Sequence, residues 1–597
     1  MVDQILHAFK SSNYDFRDQA HPEDPLAELF DEWVDYYRMK WAIAKVLRPK
    51  TILEVGVRYG YSASAFLNAS PEAHLVGIDA DLPSFGGTPG AVDWAEKKLA
   101  SKYDVTFIRD NSQNLSRFPG ETYDLIHVDG QQDGDGTFHD LNLASMQARY
   151  ILVDGYHWTR NNFLAVNEWI WLNKAAIEAI ITIPGYAGEL LIRTKVSPPL
   201  TESSPNSASL VHTYTADYYL GDCGGHGHWR RSHGKVADPR LQTVADVALA
   251  ISKPVSVVDL GAGRGELTRI FALMGAKVTA IDYSPDATHL IEKTLEDVGA
   301  SNVNVVCGSV LNPEVFEASY DLAVAADLVE HLSPEEDDVL YELVSCKLKP
   351  TNGTLVIHTA PNLWFYRYEH ARQQKAAIQA GFWLPRTRRT WYERLMHVNE
   401  QNPRILKKQL SRHFPYVHIW FTDEQGMSGS LVRQFGIADF RRAQSLFAIA
   451  SHAPIDLDRI RSVFRMNPLD PQAAEQITLT MGKAPEKVSP GETFNVRVTV
   501  SNQTDQCLNS NAPNPFNLSY HWWDASGQIV VFDGLRTALQ PVLRGKANAV
   551  YDVSVKAPPD DGLFSLRILP VQEMVRWHDN ACVNTIEVRV EGSRQSK

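Results

Sequence analysis

Cysteine is scarce in this chain, at five among 597 residues. The five show no paired spacing along the sequence: Cys223, Cys307, Cys346, Cys507 and Cys582. Structural zinc sites and disulfide frameworks place their cysteines at close, regular intervals. The sequence therefore predicts neither kind of site.

Long apolar runs are missing as well. No stretch reaches the roughly 18 apolar residues of a membrane-spanning helix, and the first residues contain no apolar segment of signal-peptide length. We therefore expect a soluble, cytoplasmic protein without a transmembrane segment. Peripheral contact with the inner face of a membrane, through an amphipathic basic segment, stays open.

The chain also lacks an excess of positive charge, with 58 Lys and Arg against 71 Asp and Glu, a formal net charge of −13. An acidic protein has no general attraction to phosphate backbones, so we expect no nucleic-acid partner. The length predicts three or four domains of about 150 residues each. Whether copies of the chain associate stays open.

One pattern occurs twice: an apolar run ending in an acid, a glycine-rich turn, and a second apolar run ending in an acid. The first copy is TILEVGVRYG followed by HLVGIDA, and the second is VSVVDLGAGRG followed by KVTAIDYS. Each copy predicts strand, turn, helix and strand. Glycines let the backbone approach a ligand closely, and the second acid can bind ribose hydroxyls. The repeat predicts two nucleotide-type pockets.

Strands alternate with helical patterns around both copies, which predicts two mostly parallel sheets. The first domain covers residues 1–196, with a helical cap at 1–47 and an antiparallel pair of strands at its end. A Pro- and Ser-rich linker follows at 197–211. The second domain covers 212–455 and contains an aromatic, basic insertion at 364–415.

Residues 456–597 change to strict alternation of apolar and polar residues, as in FNVRVTV, without helical spacing. Short strands separated by turn residues predict an antiparallel sandwich of immunoglobulin-like type. Trp577 and His578 are among residues that could line a glycan site there, although a role in the core is the alternative.

The D-x-G-x-G-x-G turn of the second copy, with its correctly spaced strands, resembles the class I S-adenosylmethionine-dependent methyltransferases. The resemblance implies an α/β fold: two Rossmann-like methyltransferase domains, each binding one S-adenosylmethionine, followed by the all-β sandwich. The implied cofactor residues of the second domain are Asp259, Gly261, Gly263, Gly265, Asp282 and Ser309. Those of the first domain are Glu54, Gly56, Gly60, Asp79 and Asp110.

The fragment V-E-H-L after the fourth strand of the second domain resembles many small-molecule methyltransferases. The resemblance places Glu330 and His331 beside the methyl group. Methyl transfer requires alignment of the acceptor and removal of its proton, and a histidine with a pKa near ~6.5 suits that task. His331 is therefore a candidate base, as is Glu330, and a purely structural His331 is the alternative.

Two later segments, IHTAPNLWFYRYEH and MHVNEQNP, resemble acceptor-side segments of bacterial sugar methyltransferases. The residues that this resemblance places near an acceptor are His358, Asn362, Trp364, His397, Asn399 and Glu400. The basic, aromatic insertion suits an anionic or saccharide acceptor such as a lipid-linked glycan. A solvated helical hairpin is the alternative.

In the first domain, Asp129 and Asp154 end the fourth and fifth strands, which resembles metal-dependent sugar and catechol methyltransferases. The resemblance implies a Mg²⁺ ion between these carboxylates, with Asp129 beside the acceptor. The family often has a second acid where this chain has Gly155. Without a metal, His139 or His157 becomes the candidate base, and loss of catalysis in this domain stays open.

Taken together, the resemblance implies a bifunctional O-methyltransferase that modifies sugar hydroxyls of a bacterial surface polysaccharide (O-antigen type) or glycolipid. Two interpretations stay open: the two activities methylate two positions, or one of them acts on a terminal residue and caps the chain. Methylation of a glycosylated natural product is the alternative substrate class. A further alternative is one catalytic domain beside a non-catalytic, cofactor-binding scaffold domain.

Overall fold

A computed structural model describes residues 1–85, 87–183, 188–195, 207–296, 301–317, 319–421 and 440–592. Two compact units are formed, Met1–Pro205 with Glu369–Leu395, and Asn206–Tyr368 with Met396–Lys597. Most of the linker predicted at 197–211 lies outside the described residues. In the described part of the chain, every helix is too short or too polar to span a membrane.

The first unit contains a seven-stranded sheet in the order β3-β2-β1-β4-β5-β7-β6. Its strands are β1 Thr51–Val55, β2 His74–Asp79, β3 Asp104–Arg109, β4 Tyr123–Val128, β5 Ala148–Val153, β6 Ile177–Ile183 and β7 Glu189–Thr194. Strands β1 to β5 pair in parallel, whereas β7 is antiparallel to both β5 and β6. The predicted parallel sheet with an antiparallel edge is confirmed.

Helices cover this sheet and bury its apolar runs. They are α1 Val2–Ser11, α2 Phe30–Leu47, α3 Tyr61–Ala69, α4 Ala91–Leu99, α5 Asp135–Gln147 and α6 Arg160–Leu172. The predicted helical cap is thus α1 and α2. One face of α2 is aromatic, because Tyr36 and Tyr37 follow Trp33 by three and four residues.

The second unit repeats the sheet, in the order β10-β9-β8-β11-β12-β14-β13. Its strands are β8 Ser256–Leu260, β9 Lys277–Asp282, β10 Val303–Cys307, β11 Leu322–Ala326, β12 Thr354–Thr359, β13 Tyr416–Trp420 and β14 Leu446–Ser451. Its helices before the insertion are α7 Ala216–Gly221, α8 His226–Ser232, α9 Pro239–Ile251, α10 Glu266–Leu273, α11 Pro285–Leu295, α12 Pro334–Lys347 and α13 Leu363–Phe365.

Side-chain caps fix where several of these helices begin. Ser333 accepts a hydrogen bond from the Glu336 amide, and the Glu336 side chain accepts one from the Ser333 amide. This reciprocal capping satisfies two amide groups that α12 would otherwise leave unpaired. Asp238 caps α9 in front of Pro239, whose fixed φ suits a first helical position.

The predicted insertion at 364–415 is divided between the units, which corrects its assignment to the second domain alone. Its helices are α14 Ala371–Gln379, α15 Trp391–Met396 and α16 Pro403–Leu410. Within the first unit, the Arg394 guanidinium donates to Asn173 Oδ1 and to the Asn142 carbonyl oxygen. Trp383 Nε1 donates to Asp135, 3.1 Å away. These contacts with α5 and its surroundings place 369–395 in the first unit.

Beyond β14, two short helices, Leu457–Val463 and Pro471–Ala474, precede an all-β region. One sheet has the order β15-β17-β21, and the other has β16-β24-β22-β18-β19, with β20 beside β18 and β23 beside β22. The strands are β15 Ile477–Met481, β16 Lys487–Val488, β17 Thr493–Asn502, β18 Phe516–Trp523, β19 Ile529–Val531, β20 Thr537–Ala538, β21 Ala547–Lys556, β22 Gly562–Gln572, β23 Arg576–Trp577 and β24 Ile586–Val590.

Burial alternates along β17 and β21, as the apolar-polar pattern predicts. Residues of both sheets form one core, in which Trp522 is fully buried, whereas the adjacent Trp523 is partly exposed. The immunoglobulin-like type of this region stays a prediction. In both α/β sheets the strand order reverses between the first and fourth strands, where open α/β sheets bind ligands.

Candidate active sites

The first unit has a cavity of about 430 Å³ at the carboxyl ends of β1, β2, β4 and β5. Its lining includes five of the predicted residues: Gly56, Asp79, Asp110, Asp129 and Asp154. The aromatic face of α2 forms another part of the wall. The structure therefore gathers most of the predicted first site around one cavity.

Gly56 brings the backbone of the turn against the end of β4, which lies beside β1 in the sheet. Its φ is +89°, and a Cβ at this position would lie 2.0 Å from the carbonyl oxygen of Asp129. Only glycine adopts this conformation and fits this space.

The carboxylate of Asp79 is held by two amides of the same turn and by one amide that follows β2. Its Oδ2 accepts from the amides of Val57 and Arg58, both at 2.8 Å, and Oδ1 accepts from the Asp81 amide at 2.7 Å. An ionised carboxylate has about four acceptor positions. Asp79 therefore keeps acceptor capacity for ribose hydroxyls in the cavity.

Two predicted cofactor residues of this unit lie behind the cavity and do not line it. Glu54 is fully buried and accepts from Ser62 Oγ, while its Oε1 lies 2.9 Å from His127 Nδ1. Gly60 faces α4, where a Cβ would lie 2.8 Å from the Cβ of Ala95. Glu54 thus contacts Ser62 and His127 behind the cavity wall, and Gly60 permits close packing of its turn against α4.

A buried lysine lies behind Asp129 and Asp154. Lys40, from α2, is fully buried, and its Nζ lies 2.8 Å from Asp154 Oδ1 and 3.2 Å from Glu189 Oε1. His127 Nε2 is 2.9 Å from the same nitrogen. This lysine was missed in the sequence analysis, although its spacing from Tyr36 and Tyr37 places it on the aromatic face of α2.

The charges in this cluster shift one another. Burial alone would raise the pKa of Asp154, but Lys40 holds this pKa well below its usual range. Burial, followed by the nearby Asp154 carboxylate, raises the pKa of Asp129. Burial also raises the pKa of Glu189 to about 7 and lowers that of His127. The arrangement favours one ammonium paired mainly with Asp154.

A magnesium ion does not fit this group. His127, Asp129 and Asp154 have potential ligand atoms within 4.8 Å of one another, but Lys40 Nζ already lies among them. The Gln132 amide nitrogen also donates to both carboxylates, at 3.0 Å each. Magnesium prefers a shell of oxygen atoms and repels a neighbouring ammonium.

The same glutamine explains the departure at Gly155. A Cβ at Gly155 would lie 2.2 Å from Gln132 Oε1, so the carboxamide occupies the space that an acid would need there.

Neither alternative base of the first unit lines the cavity. His139 Nε2 is 3.1 Å from the Ser112 carbonyl oxygen. His157 packs against Tyr156 and Phe163. The structure does not bring either imidazole to the methyl-transfer position, and of the predicted bases it leaves Asp129 facing the cavity.

The second unit has a smaller cavity, of about 120 Å³, at the equivalent edge of its sheet. The predicted residues that line it are Asp259, Gly261, Gly263, Asp282, Ser309 and His331. Gly265 lies outside this lining and faces α11, where a Cβ would lie 3.1 Å from the α-carbon of Ile291. It permits close packing of α10 and α11, as Gly60 does for its own helices.

Asp282 repeats the arrangement of Asp79. Its Oδ2 accepts from the Gly263 amide and its Oδ1 from the Ser284 amide, both at 2.9 Å. Burial raises the pKa of Asp282 to about 6. Asp259 accepts from Thr268 Oγ1 at 2.6 Å, which holds the first strand to α10.

His331 reaches the second cavity from the turn after β11. Its Nδ1 lies 3.2 Å from the Met396 carbonyl oxygen and 2.9 Å from the Tyr214 hydroxyl. Because a carbonyl only accepts, the first contact needs a proton on Nδ1, which leaves the Nε2 lone pair free to accept. Burial, and then His397, lowers the pKa of His331 to about 3.

Four predicted residues lie around His331 but outside the cavity lining: Glu330, His397, Asn399 and Glu400. Glu330 accepts from Thr359 Oγ1 at 2.9 Å, and burial raises its pKa to about 7. The ring of His397 packs edge-on against His331, at 4.8 Å between centroids. This group supports the imidazole from behind, and its contact with an acceptor stays a prediction.

A second ionic group was missed in the sequence analysis. Asp327, directly after β11, lines the cavity, and its Oδ2 lies 2.7 Å from Arg240 Nε. Its Oδ1 bonds His358 Nδ1. Burial alone would raise the pKa of Asp327, but Arg240 and His358 hold this pKa far below its usual range. His358 therefore orients Asp327 and does not line the cavity itself.

The two remaining predicted acceptor residues have structural surroundings. Asn362 is fully buried; its side chain donates to the carbonyl oxygens of Phe440 and Ala443 and accepts from the Trp364 amide. Trp364 packs against the sheet core and lies under the guanidinium of Arg404. We correct the expected role of Asn362, because it does not line the cavity and its side-chain amide is bonded to backbone groups.

Comparison with known proteins agrees with this geometry. Residues 53–156 and residues 257–351 each match a family model described as a methyltransferase domain. The chain contains two methyltransferase domains. Each matched segment includes the glycine-rich turn and the acid that ends the following strand.

Curated relatives match single stretches of the chain. The mitochondrial ubiquinone biosynthesis O-methyltransferase of Schizosaccharomyces pombe is 33% identical over 105 residues, 17% of this chain and 37% of that protein. A probable cobalt-precorrin-6B C(15)-methyltransferase of Methanobrevibacter smithii is 32% identical over 125 residues, 20% of this chain and 64% of that protein. The chain thus spans less than two thirds of either relative.

Among solved structures, magnesium protoporphyrin IX methyltransferase from Synechocystis PCC 6803 with bound SAH is 18% identical. It aligns with a TM-score of 0.26 over 40% of this chain and 97% of that one. A SAM-dependent methyltransferase from Archaeoglobus fulgidus gives a TM-score of 0.26 at 18% identity, over 38% and 99% of the two chains.

Gly56→Ala tests the first methyltransferase domain. Its Cβ would displace the Asp129 backbone, so we expect the number of S-adenosylhomocysteine molecules bound per chain to fall from two to one in isothermal titration. Gly90→Ala is the matched control: its φ is +81°, and nothing lies within 4 Å of the added Cβ. Both variants carry a similar left-handed backbone cost of about 1–2 kcal/mol. Two molecules bound by Gly56→Ala would contradict the assignment.

Proposed function

We propose that the chain is a bifunctional S-adenosylmethionine-dependent O-methyltransferase acting on sugar hydroxyls of a surface polysaccharide or glycolipid. The observation that carries this proposal is that each unit places a group able to take a proton beside its cofactor-type turn. In the first unit this group is Asp129, and in the second it is His331.

The walls of the first cavity support a sugar acceptor. Side-chain amides and carboxylates line it together with aromatic rings. The aromatic residues are Trp33, Tyr36, Tyr37, Tyr59 and Trp158, and the amide residues are Asn111, Gln113, Gln131 and Gln132. Sugars have hydroxyl groups that bond to amides and carboxylates, and apolar C–H faces that pack on aromatic rings. Trp158 is 59% exposed and offers its ring to such a face.

The reaction would be the same in both units. S-adenosylmethionine, held through its ribose by Asp79 or Asp282, would supply an electrophilic methyl group to an acceptor hydroxyl and would keep the electron pair of the broken carbon–sulfur bond. The hydroxyl proton passes to Asp129 in the first unit and to His331 Nε2 in the second. The domain mainly aligns the acceptor with the methyl group. Proton removal by a base whose pKa lies near the working pH adds a further factor of about 10²–10⁴ to the rate, and a weaker base adds less.

Two sites in one chain would methylate two hydroxyls of one glycan. Methylation of a terminal hydroxyl removes a position at which a further sugar could be attached, so one reaction would cap the chain. A glycosylated natural product offers the same hydroxyls, and the experiment below distinguishes the two substrate classes.

Methyl-labelled cofactor with glycan extracts tests this function. We expect label at two sugar positions with the natural chain. Asp79→Ala and Asp282→Ala each remove charged hydrogen bonds worth about 1.5–3 kcal/mol, so each variant should lose one labelled position. Label that neither variant removes would contradict two catalytic units. Label only in a glycosylated small molecule would replace the proposed substrate class.

The pH dependence of the second reaction, measured in Asp79→Ala, tests the state of His331. Because its pKa in the fold is about 3, the imidazole stays neutral from pH 8 to 5 and protonates only well below pH 5. We expect kcat to show no acid limb near pH 6.5 from this residue. Because a base with so low a pKa is weak, His331→Gln should lower kcat by at most about 10²-fold throughout this range. A limb near pH 6.5 that His331→Gln abolishes would contradict the low pKa.

A further inference from the structure

We propose that Lys40 is the resident cation of the first active site, holding its carboxylates in place so that this site takes no divalent metal ion. This inference rests on the proposed function of the first unit. Lys40 acts as a positioning residue, through Asp154 and Asp129.

The position of the ammonium group carries the proposal. Lys40 Nζ lies 2.8 Å from Asp154 Oδ1, 3.2 Å from Glu189 Oε1 and 3.9 Å from Asp129 Oδ2. The side chain is fully buried. A buried ammonium is stable only when carboxylates and hydrogen-bond acceptors surround it. Lys40 therefore fills the space between the strand ends with one fixed positive charge.

Three of the four oxygens of the two strand-end carboxylates are engaged by donors. Tyr36 donates its hydroxyl to Asp154 Oδ1 at 2.6 Å, and Gln132 donates to Asp154 Oδ2 and Asp129 Oδ1. A magnesium ion bonds oxygen at about 2.0–2.1 Å, so it would have to displace both donors and lie next to Lys40 Nζ. Its charge would repel the ammonium at that distance.

This arrangement directs one carboxylate towards the cavity. The side chain of Asp129 is 23% exposed, against 6% for Asp154 and 4% for Glu189. Asp129 Oδ2 lies 3.9 Å from both Lys40 Nζ and His127 Nε2, beyond hydrogen-bond distance. The lysine thus holds the inner acids and leaves this oxygen for the acceptor.

Removal of the ammonium should create the metal site that the natural chain lacks. Without Lys40, three carboxylates would surround an uncharged space, and such groups bind divalent cations readily. Mn²⁺ is a suitable probe because electron paramagnetic resonance counts free and bound ions without any methyl transfer.

The experiment titrates Mn²⁺ into the full chain as the natural protein, Lys40→Ala, Lys40→Ala/Asp154→Asn and Asp154→Asn. We expect Lys40→Ala to bind one more Mn²⁺ than the natural chain. This ion should bind at least tenfold more tightly than any Mn²⁺ bound by the natural chain, and the double variant should lose it. The natural chain and Asp154→Asn should bind Mn²⁺ equally. Circular dichroism and cofactor titration check that each variant is folded.

One Mn²⁺ bound by the natural chain and lost in Asp154→Asn would overturn the proposal, whether or not the Lys40 variants fold. A folded Lys40→Ala that gains no Mn²⁺ would also overturn it. If Lys40→Ala does not fold, equal binding by the natural chain and Asp154→Asn supports the proposal, and chelator-treated natural chain should keep its methyl transfer. If the Mn²⁺ results are as expected but no glycan is labelled, the proposed function is rejected and the proposal for Lys40 is not.

Discussion

Hydrogen bonds between the glycine-rich turn and the acid ending the second strand fix both candidate sites. Asp79 accepts from the amides of Val57 and Arg58, and Asp282 accepts from the amide of Gly263. The turn must cross the strand ends closely for these bonds to form, which requires left-handed glycines at Gly56 and Gly261. The same bonds place each carboxylate at the cavity wall, where a ribose would need it.

The two units also share an ionic arrangement behind the transfer position. In each, an acid directly after the fourth strand of the sheet faces the cavity: Asp129 in the first unit and Asp327 in the second. A basic residue from the helix before the first strand lies near it, Lys40 in one case and Arg240 in the other. The cations differ in burial and partners. Among the described residues, the second unit alone adds a cavity-lining imidazole, His331.

Much of the fold was predictable because apolar runs with turn residues between them determine strands locally. The alternation along β17 and the acid-glycine pattern at β1 and β8 are signals of this kind. Lys40 was not predictable in the same way, since an isolated lysine in a helix is usually exposed. Its burial depends on Asp154 and Glu189, which are more than a hundred residues away in sequence.

Spacing also could not separate cavity glycines from packing glycines. Gly60 and Gly265 are the last glycines of their turns, yet both face a neighbouring helix, because the next residue already begins a helix. Likewise, the basic and aromatic character of 364–415 did not indicate that Arg394 and Trp383 contact the first unit. Such contacts depend on the surface of α5, which no local pattern encodes.

A crystal structure of the full chain grown with saturating S-adenosylhomocysteine tests the central claim most directly. The account predicts one molecule in each unit, with the ribose hydroxyls against Asp79 in the first and against Asp282 in the second. A ligand in only one unit, or a ribose directed away from these carboxylates, would contradict it.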